Sequence, residues 1–246
     1  MELPTYVALS RMDAQSRAMD VVADNVANAS TPGFKASRAL FSDWLDAQQG
    51  ATTPPGGRVV AFTQDRATYR DRQQGPITHT SNPLDLALGG EGYFTVNAPG
   101  GPRLTRAGRF SPTADGTVAD AEGNPVLDTA GQPIRLPAGA ARVTITADGT
   151  VSTEAGPVGK IGVVQPTDPN ALQAEGGRLL VANTPTQPVA APAVIQGAVE
   201  DSNVQPVAEI TRMMTLLREF EFTSQFLQGE SDRQQKAVDT LLKQNG

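Results

Sequence analysis

Residues 25–35 read "NVANASTPGFK". Pro32 disfavours helical geometry at Thr31, and Gly33 permits a turn that residues with a Cβ resist. Phe34 can anchor the chain as it leaves the turn. An ordinary helix end accounts for Pro32 and Gly33. It does not account for Asn25 and Asn28, poor helix formers three apart on one side of the helix. Upstream, residues 4–29 read as one amphipathic helix, with Pro4 suited to its first turn. Ala8, Met12, Met19, Val22, Val26 and Ala29 fall at steps of three, four or seven along one stripe, which Gln15 interrupts. A narrow seam of small and flexible residues predicts a coiled-coil edge rather than a globular core face.

Downstream the pattern changes three times. Residues 35–75 read as an extended linker, with a short helix around Trp44 and a loop at Pro54–Gly57. Residues 76–198 read as a β-rich body of short strands divided by Gly, Pro, Asn and Asp. "TADGTV" stands at both 113–118 and 146–151, which predicts two similar hairpins, because Gly after Asp accepts positive φ. From residue 199 a helix returns. Asn203 or Ser202 is placed to cap it and Pro206 to sit in its first turn. Val207, Ile210, Met214, Leu217, Phe220, Leu227, Val238 and Leu241 mark its seam, with Ser224, Ser231 and Gln234 as polar breaks. The expected fold class is α+β, with segments 1–34, 35–75, 76–198 and 199–246. Its long terminal helices pair as a coiled coil, joined through the linker to a central all-β body.

Composition narrows the function classes. The 246 residues carry a net charge of −6, which argues against a nucleic-acid partner. Gly 24 and Pro 19 imply many turns, and aromatics at 5% leave core material thin. With Cys 0 there is no thiolate metal site and no cysteine nucleophile. The start lacks the pattern of a secretory signal, and no apolar run is long enough to insert in a membrane. The only histidine, His79, has no nucleophile-elbow sequence beside it. One His and no Cys leave only carboxylates for a metal, and "TADGTV" lacks the alternating oxygens of a calcium loop. "GGEGYF" at 89–94 lacks the ending of a phosphate loop and reads as a bend into a strand. Arg106 and Arg109 in "TRAGRF" read as solvated strand charges. The expectation is therefore a non-enzyme, with no catalytic residue, cofactor or metal. A β-rich secreted hydrolase and a generic coiled-coil module are the competing readings.

Four stretches carry a resemblance. "VVADNVANASTPGFKA" (21–36) resembles the N-terminal signature of bacterial flagellar rod and hook proteins, Asn-x-x-Asn-x-x-Thr-x-Gly-Phe/Tyr-Lys. "GPITHTSNPLDLALGGEGYFTV" (75–96) and "LTRAGRFSPTADGTVADAEGNPVL" (104–127) resemble the β-body of that family. "GAVEDSNVQPVAEITRMM" (197–214) resembles the start of its C-terminal helix. They occur in family order over nearly the whole chain. The segment "VGKIGVVQPTDPNALQAEGGRLL" and the chain length resemble the proximal-rod branch, with the distal-rod branch as alternative. The ending "REFEFTSQFLQGESDRQQKAVDTLLKQNG" departs from the Ala-rich, Asn-containing run of distal-rod and hook proteins.

The resemblance implies a structural subunit of the flagellar basal-body rod, the drive shaft across the periplasm. Its terminal helices would fold as the rod assembles and form its inner layer, with the β-body outside. It implies self-assembly, proximal and distal rod proteins as partners, and export through the flagellar type III apparatus without a cleaved signal peptide. The expected assembly contacts are Met12, Met19, Val22, Asn25, Val26, Asn28, Val207, Ile210, Met214 and Leu217. Thr31, Pro32, Gly33 and Phe34 form the helix stop and turn.

Overall fold

In a computed structural model of the chain the described residues are 3–48, 58–140, 142–176 and 178–244. Side chains are described in these ranges except at 3–4, 41–48, 58–67, 237–238 and 241–244. The chain divides into two compact units. One holds Met1–Ala27, Ser37–Arg70 and Gln205–Gly246; the other holds Asn28–Ala36 and Asp71–Val204.

The first unit contains helix α1 (Leu3–Ala27), strands β1 (Ser37–Gln48) and β2 (Arg58–Arg70), and helix α2 (Pro206–Gln244). The β1–β2 ladder is antiparallel from Ser37 opposite Arg70 to Gln48 opposite Arg58, with a bulge at Leu40/Phe41. The ladder corrects the expected extended linker and the short helix around Trp44. The run "RVVAFTQDRATYR" is rich in β-branched and aromatic residues, which suit a pleated surface. The loop expected at Pro54–Gly57 lies outside the described residues. A two-stranded ribbon is marginal alone, and this one lies against α1. Ala8, Ala14, Gln15, Ala18, Val22 and Asn25 form the buried stripe of α1.

The expected coiled coil is also corrected. Val207, Ile210, Met214 and Leu217, assigned to its seam, are exposed on α2. Glu209 and Thr223 are buried instead, with Met213, Leu216, Phe220 and Leu227 half-buried at matching helical phase. Ser224 and Gln234 are half-buried and Ser231 is exposed, while the Val238 and Leu241 side chains lie outside the described set. The physical reason lies in the doublets Met213-Met214 and Leu216-Leu217. They draw two apolar stripes about 100° apart, and spacing alone cannot choose between them. Side-chain hydrogen bonds from α1 to α2 are polar point contacts: Gln15 Nε2 donates to Glu219 at 3.3 Å, and Asn25 Nδ2 to Glu209 at 3.3 Å. No knobs-into-holes seam is built from them.

The second unit is β-rich. Its strands are β3 (Ile77–His79), β4 (Leu86–Leu88), β5 (Tyr93–Ala98), β6 (Gly101–Thr105), β7 (Ser111–Pro112), β8 (Val118–Ala119), β9 (Val143–Ile145), β10 (Thr150–Thr153), β11 (Gly156–Lys160), β12 (Val163–Pro166), β13 (Leu172–Glu175), β14 (Leu179–Ala182), β15 (Thr186–Pro188), β16 (Val194–Gln196) and β17 (Ala198–Glu200). Six form one sheet in the order β13-β14-β6-β5-β12-β15. Strands β11-β10-β9 form a second sheet, and β16-β4, β17-β3 and β7-β8 pair separately. Leu86, Leu88, Phe94, Val96, Phe110 and Ile161 are among the residues of its main core. The Phe94 and Phe110 rings meet edge to face, their centroids 5.4 Å apart, the orientation their quadrupoles favour.

The two "TADGTV" stretches form the expected pair of similar hairpins, β7–β8 and β9–β10. In the first, Thr113 Oγ1 donates to Asp115 at 2.5 Å and Thr117 Oγ1 at 2.9 Å. In the second, Thr146 and Thr150 donate to Asp148 at 2.5 and 2.8 Å. These hydroxyls favour the charged carboxylate. Thr113 and then Thr117 lower Asp115 to about 2, and Thr146, Thr150 and Lys160 hold Asp148 well below the ordinary range. A folded pKa below the unfolded one gives stability that is present above the unfolded value and lost as pH falls through the folded value. Thermal unfolding midpoints should therefore drop as pH falls from about 4 to about 2. The drop should be shallower in Asp115→Asn/Asp148→Asn, whose side chains do not titrate there.

Candidate functional site

The turn at residues 31–34 is built into the β-rich unit. Thr31 N–H donates to Asn28 O at 3.1 Å, and Thr31 Oγ1 to Asn28 Oδ1 at 3.2 Å. Asn28 thus serves as a local turn former, itself half-buried. Gly33 has φ +72, the left-handed region, and its N–H donates to Glu200 O at 2.7 Å. Pro32 is buried, and Phe34 is fully enclosed in a small cluster with Ala36 and Val204.

Behind this turn lies a buried ionic cluster. Glu200 is 1% exposed. One carboxylate oxygen accepts from Lys35 Nζ and from Gly75 N–H at 3.1 Å; the other accepts from an Arg106 guanidinium nitrogen at 3.0 Å. Lys35 Nζ also donates to Gln73 O at 2.7 Å, and Arg106 to Gly90 O at 2.7 Å. The Arg106 guanidinium also stands 5.3 Å from the Tyr93 ring centre, a cation–π contact. Burial lowers the Lys35 ammonium, and its hydrogen bond to Glu200 opposes that shift. Arg106 is therefore a largely enclosed ion-pair partner, its side chain 10% exposed, which corrects its reading as a solvated strand charge, whereas Arg109 is exposed. Sequence reasoning also missed Lys35 and Glu200. A Glu in "GAVED" carries no periodic signal that would mark it as buried.

In the helical unit, Asn25 is fully buried and acts as a backbone mimic. Its Nδ2 donates to Ser37 O at 2.9 Å, and its Oδ1 accepts from Ser37 N–H at 2.7 Å. The same Nδ2 reaches Glu209, whose buried carboxylate also takes Arg38. The amide is thus used within the chain, where leucine would leave the strand start without partners. Val22 is buried, and Met12, Met19 and Val26 are half-buried. Val207, at 79%, with Ile210, Met214 and Leu217 forms one exposed apolar stripe of α2. Phe222 and Phe226, which the sequence reading did not single out, are exposed on a different face of α2, and Tyr6 and Leu9 are exposed on α1. Isolated exposed apolar residues are ordinary, but a continuous stripe marks an interaction surface.

The remaining candidates do not converge. His79 is exposed on β3, opposite Ala198. Among the described residues no three His, Cys, Asp or Glu side chains could share a metal ion. Among them, too, no helix is long and apolar enough to cross a membrane.

Three family models match the chain. Residues 6–35 match a flagella basal body rod protein, and residues 87–153 a flagellar hook protein FlgE/F/G D1 domain. Residues 195–240 match the flagellar basal body rod FlgEFG protein C-terminal region. The flagellar basal-body rod protein FlgF of Caulobacter vibrioides is 38% identical, covering 100% of both chains. FlgF of Mesorhizobium japonicum is 36% identical over 98% of each. FlgG of Caulobacter vibrioides is 32% identical, over 89% of this chain and 92% of its own.

Proposed function

Since this chain belongs to the family of flagellar basal-body rod proteins, it is a structural rod subunit rather than an enzyme, and we propose that its place is the proximal rod, as a FlgF-type subunit. The observation that carries this placement is end-to-end similarity. Identity to FlgF reaches 38% over both whole chains, while FlgG from the same organism stands at 32% with shorter coverage. The distal-rod, FlgG-type reading is the alternative.

In this reading the subunit assembles with copies of itself and with proximal and distal rod proteins in the periplasm. It arrives through the flagellar type III export apparatus without a cleaved signal peptide. Segments 1–34 and 199–246 supply the inner layer of the rod, and the terminal helices complete their folding as the rod is built. The exposed stripe Val207, Ile210, Met214 and Leu217 supports this, because that apolar area is removed from water only when neighbouring subunits cover it. Met12, Met19, Val26 and Asn28, which keep partial exposure, are the proposed assembly contacts of the N-terminal segment, whereas Val22 and Asn25 are buried within the subunit.

Complementation tests both parts. The chain should restore swimming to a strain lacking its FlgF and leave a strain lacking its FlgG non-motile. Ile210→Asp/Met214→Asp should abolish rescue while the purified subunit keeps its unfolding midpoint. Rescue of the FlgG-deficient strain alone would move the subunit to the distal rod. Full rescue by the double variant would remove the stripe from the assembly.

A further inference from the structure

We propose that Glu200 and Asn203 form a clasp that fixes where the chain enters and leaves the β-rich unit, and that its ionic part is kept for positional specificity rather than for stability. The chain passes between the two units after residues 27, 36, 70 and 204. Inside the β-rich unit, the segments next to three of these passages are tied together by side chains of two residues. Glu200 holds Lys35 and Gly75 N–H. Asn203 Oδ1 accepts from Ala36 N–H at 2.7 Å, and its Nδ2 donates to Asp71 O and Gln73 O at 3.1 and 3.0 Å.

Backbone hydrogen bonds join the same segments. Asp71 N–H donates to Ala36 O at 2.8 Å, Asp201 N–H to Pro76 O at 2.8 Å, and Gly33 N–H to Glu200 O at 2.7 Å. Together these bonds tie residues 33–36, 71–76 and 200–203 to one another through directional donor–acceptor pairs. Arg106 closes the cluster from a fourth segment.

The argument for specificity over stability is energetic. A buried ion cluster recovers in Coulomb attraction roughly what it costs to desolvate, so apolar replacement is often neutral or stabilising. This cluster also leaves Arg106 Nε buried without a hydrogen-bond partner, an uncompensated cost. Apolar side chains of similar size would fill the volume. They would not specify which carbonyl or N–H stands opposite which, because hydrophobic contact is non-directional. The clasp is a property of the folded chain and holds whichever rod position the subunit occupies.

Amide hydrogen exchange on the full-length chain tests this with Lys35→Met/Arg106→Met/Glu200→Leu. The unfolding midpoint of the β-rich unit should stay above that of Glu200→Leu alone, because no unpaired charge is left buried. Exchange at Gly33, Asp71 and Asp201 should rise at least ~10-fold, with core amides such as Val126 and Ile134 unchanged. Those three amides bond to backbone oxygens, so faster exchange reports displaced segments rather than a missing side-chain acceptor. If the triple variant does not fold, Asn203→Ala leaves no buried charge behind, and the same rise at Asp71 and Asp201 is expected. Unchanged exchange at these amides, or a uniform rise across the core, would overturn the proposal.

Discussion

Replacing Gly33 with alanine is expected to destabilise the β-rich unit by about 2–6 kcal/mol. Two penalties combine. Gly33 sits at φ +72, where a side chain costs about 1–3 kcal/mol. Its Cβ would also overlap the backbone of Arg106 and Ala107, and overpacking adds about 1–3 kcal/mol. Backbone cannot swing aside as a long side chain can, so relief requires lifting the turn. Lifting it breaks the Gly33 N–H bond to Glu200 O and uncovers Phe34. Gly131→Ala is the control. Its φ is +79, but nothing lies within 4 Å of an added Cβ, so only the conformational part should appear. Urea unfolding of both variants checks this. Equal midpoints would mean that the turn does not press on residues 106–107.

The second large effect is expected from Glu200→Leu alone, about 3–5 kcal/mol. The substitution leaves two cations, Lys35 and Arg106, largely enclosed without their carboxylate. Gly75 N–H loses its acceptor as well. Restoring charge balance should recover most of the loss. The triple apolar variant described above is therefore expected to be more stable than the single one, although it carries more changes. Denaturant midpoints for the two variants decide the point. A single variant as stable as the triple would show that the buried cations find other partners.

Much of this protein was legible before its structure. The β-body was marked by short apolar runs between Gly, Pro, Asn and Asp, and the paired Asp-Gly turns by their repeated hexapeptide. The helix stop was readable because Pro32 and Gly33 act through their own backbone, independent of neighbours. The strand pair β1–β2 was hidden because its partners meet across a Pro-Gly-rich stretch that reads as a break. Pairing of that kind is a non-local contact, and no local propensity reports it. The face of α2 was misread because its Met and Leu doublets offer two stripes of nearly equal weight.

The two asparagines of "NVANASTPGFK" divide in the same way. Asn28 closes the turn with Thr31. Asn25, expected among the assembly contacts, is fully buried and bridges to Ser37 and Glu209. By itself the sequence determined the family, the order of helix, β-body and helix, and the turn that ends α1. Those depend on local backbone preferences and on a motif read residue by residue. Tertiary structure alone decided which face of α2 stays exposed, that residues 37–70 form a ladder, and that Lys35, Arg106 and Glu200 meet. Those outcomes depend on which side chains leave water together, and residues 35 and 200 are brought together only by the folded chain.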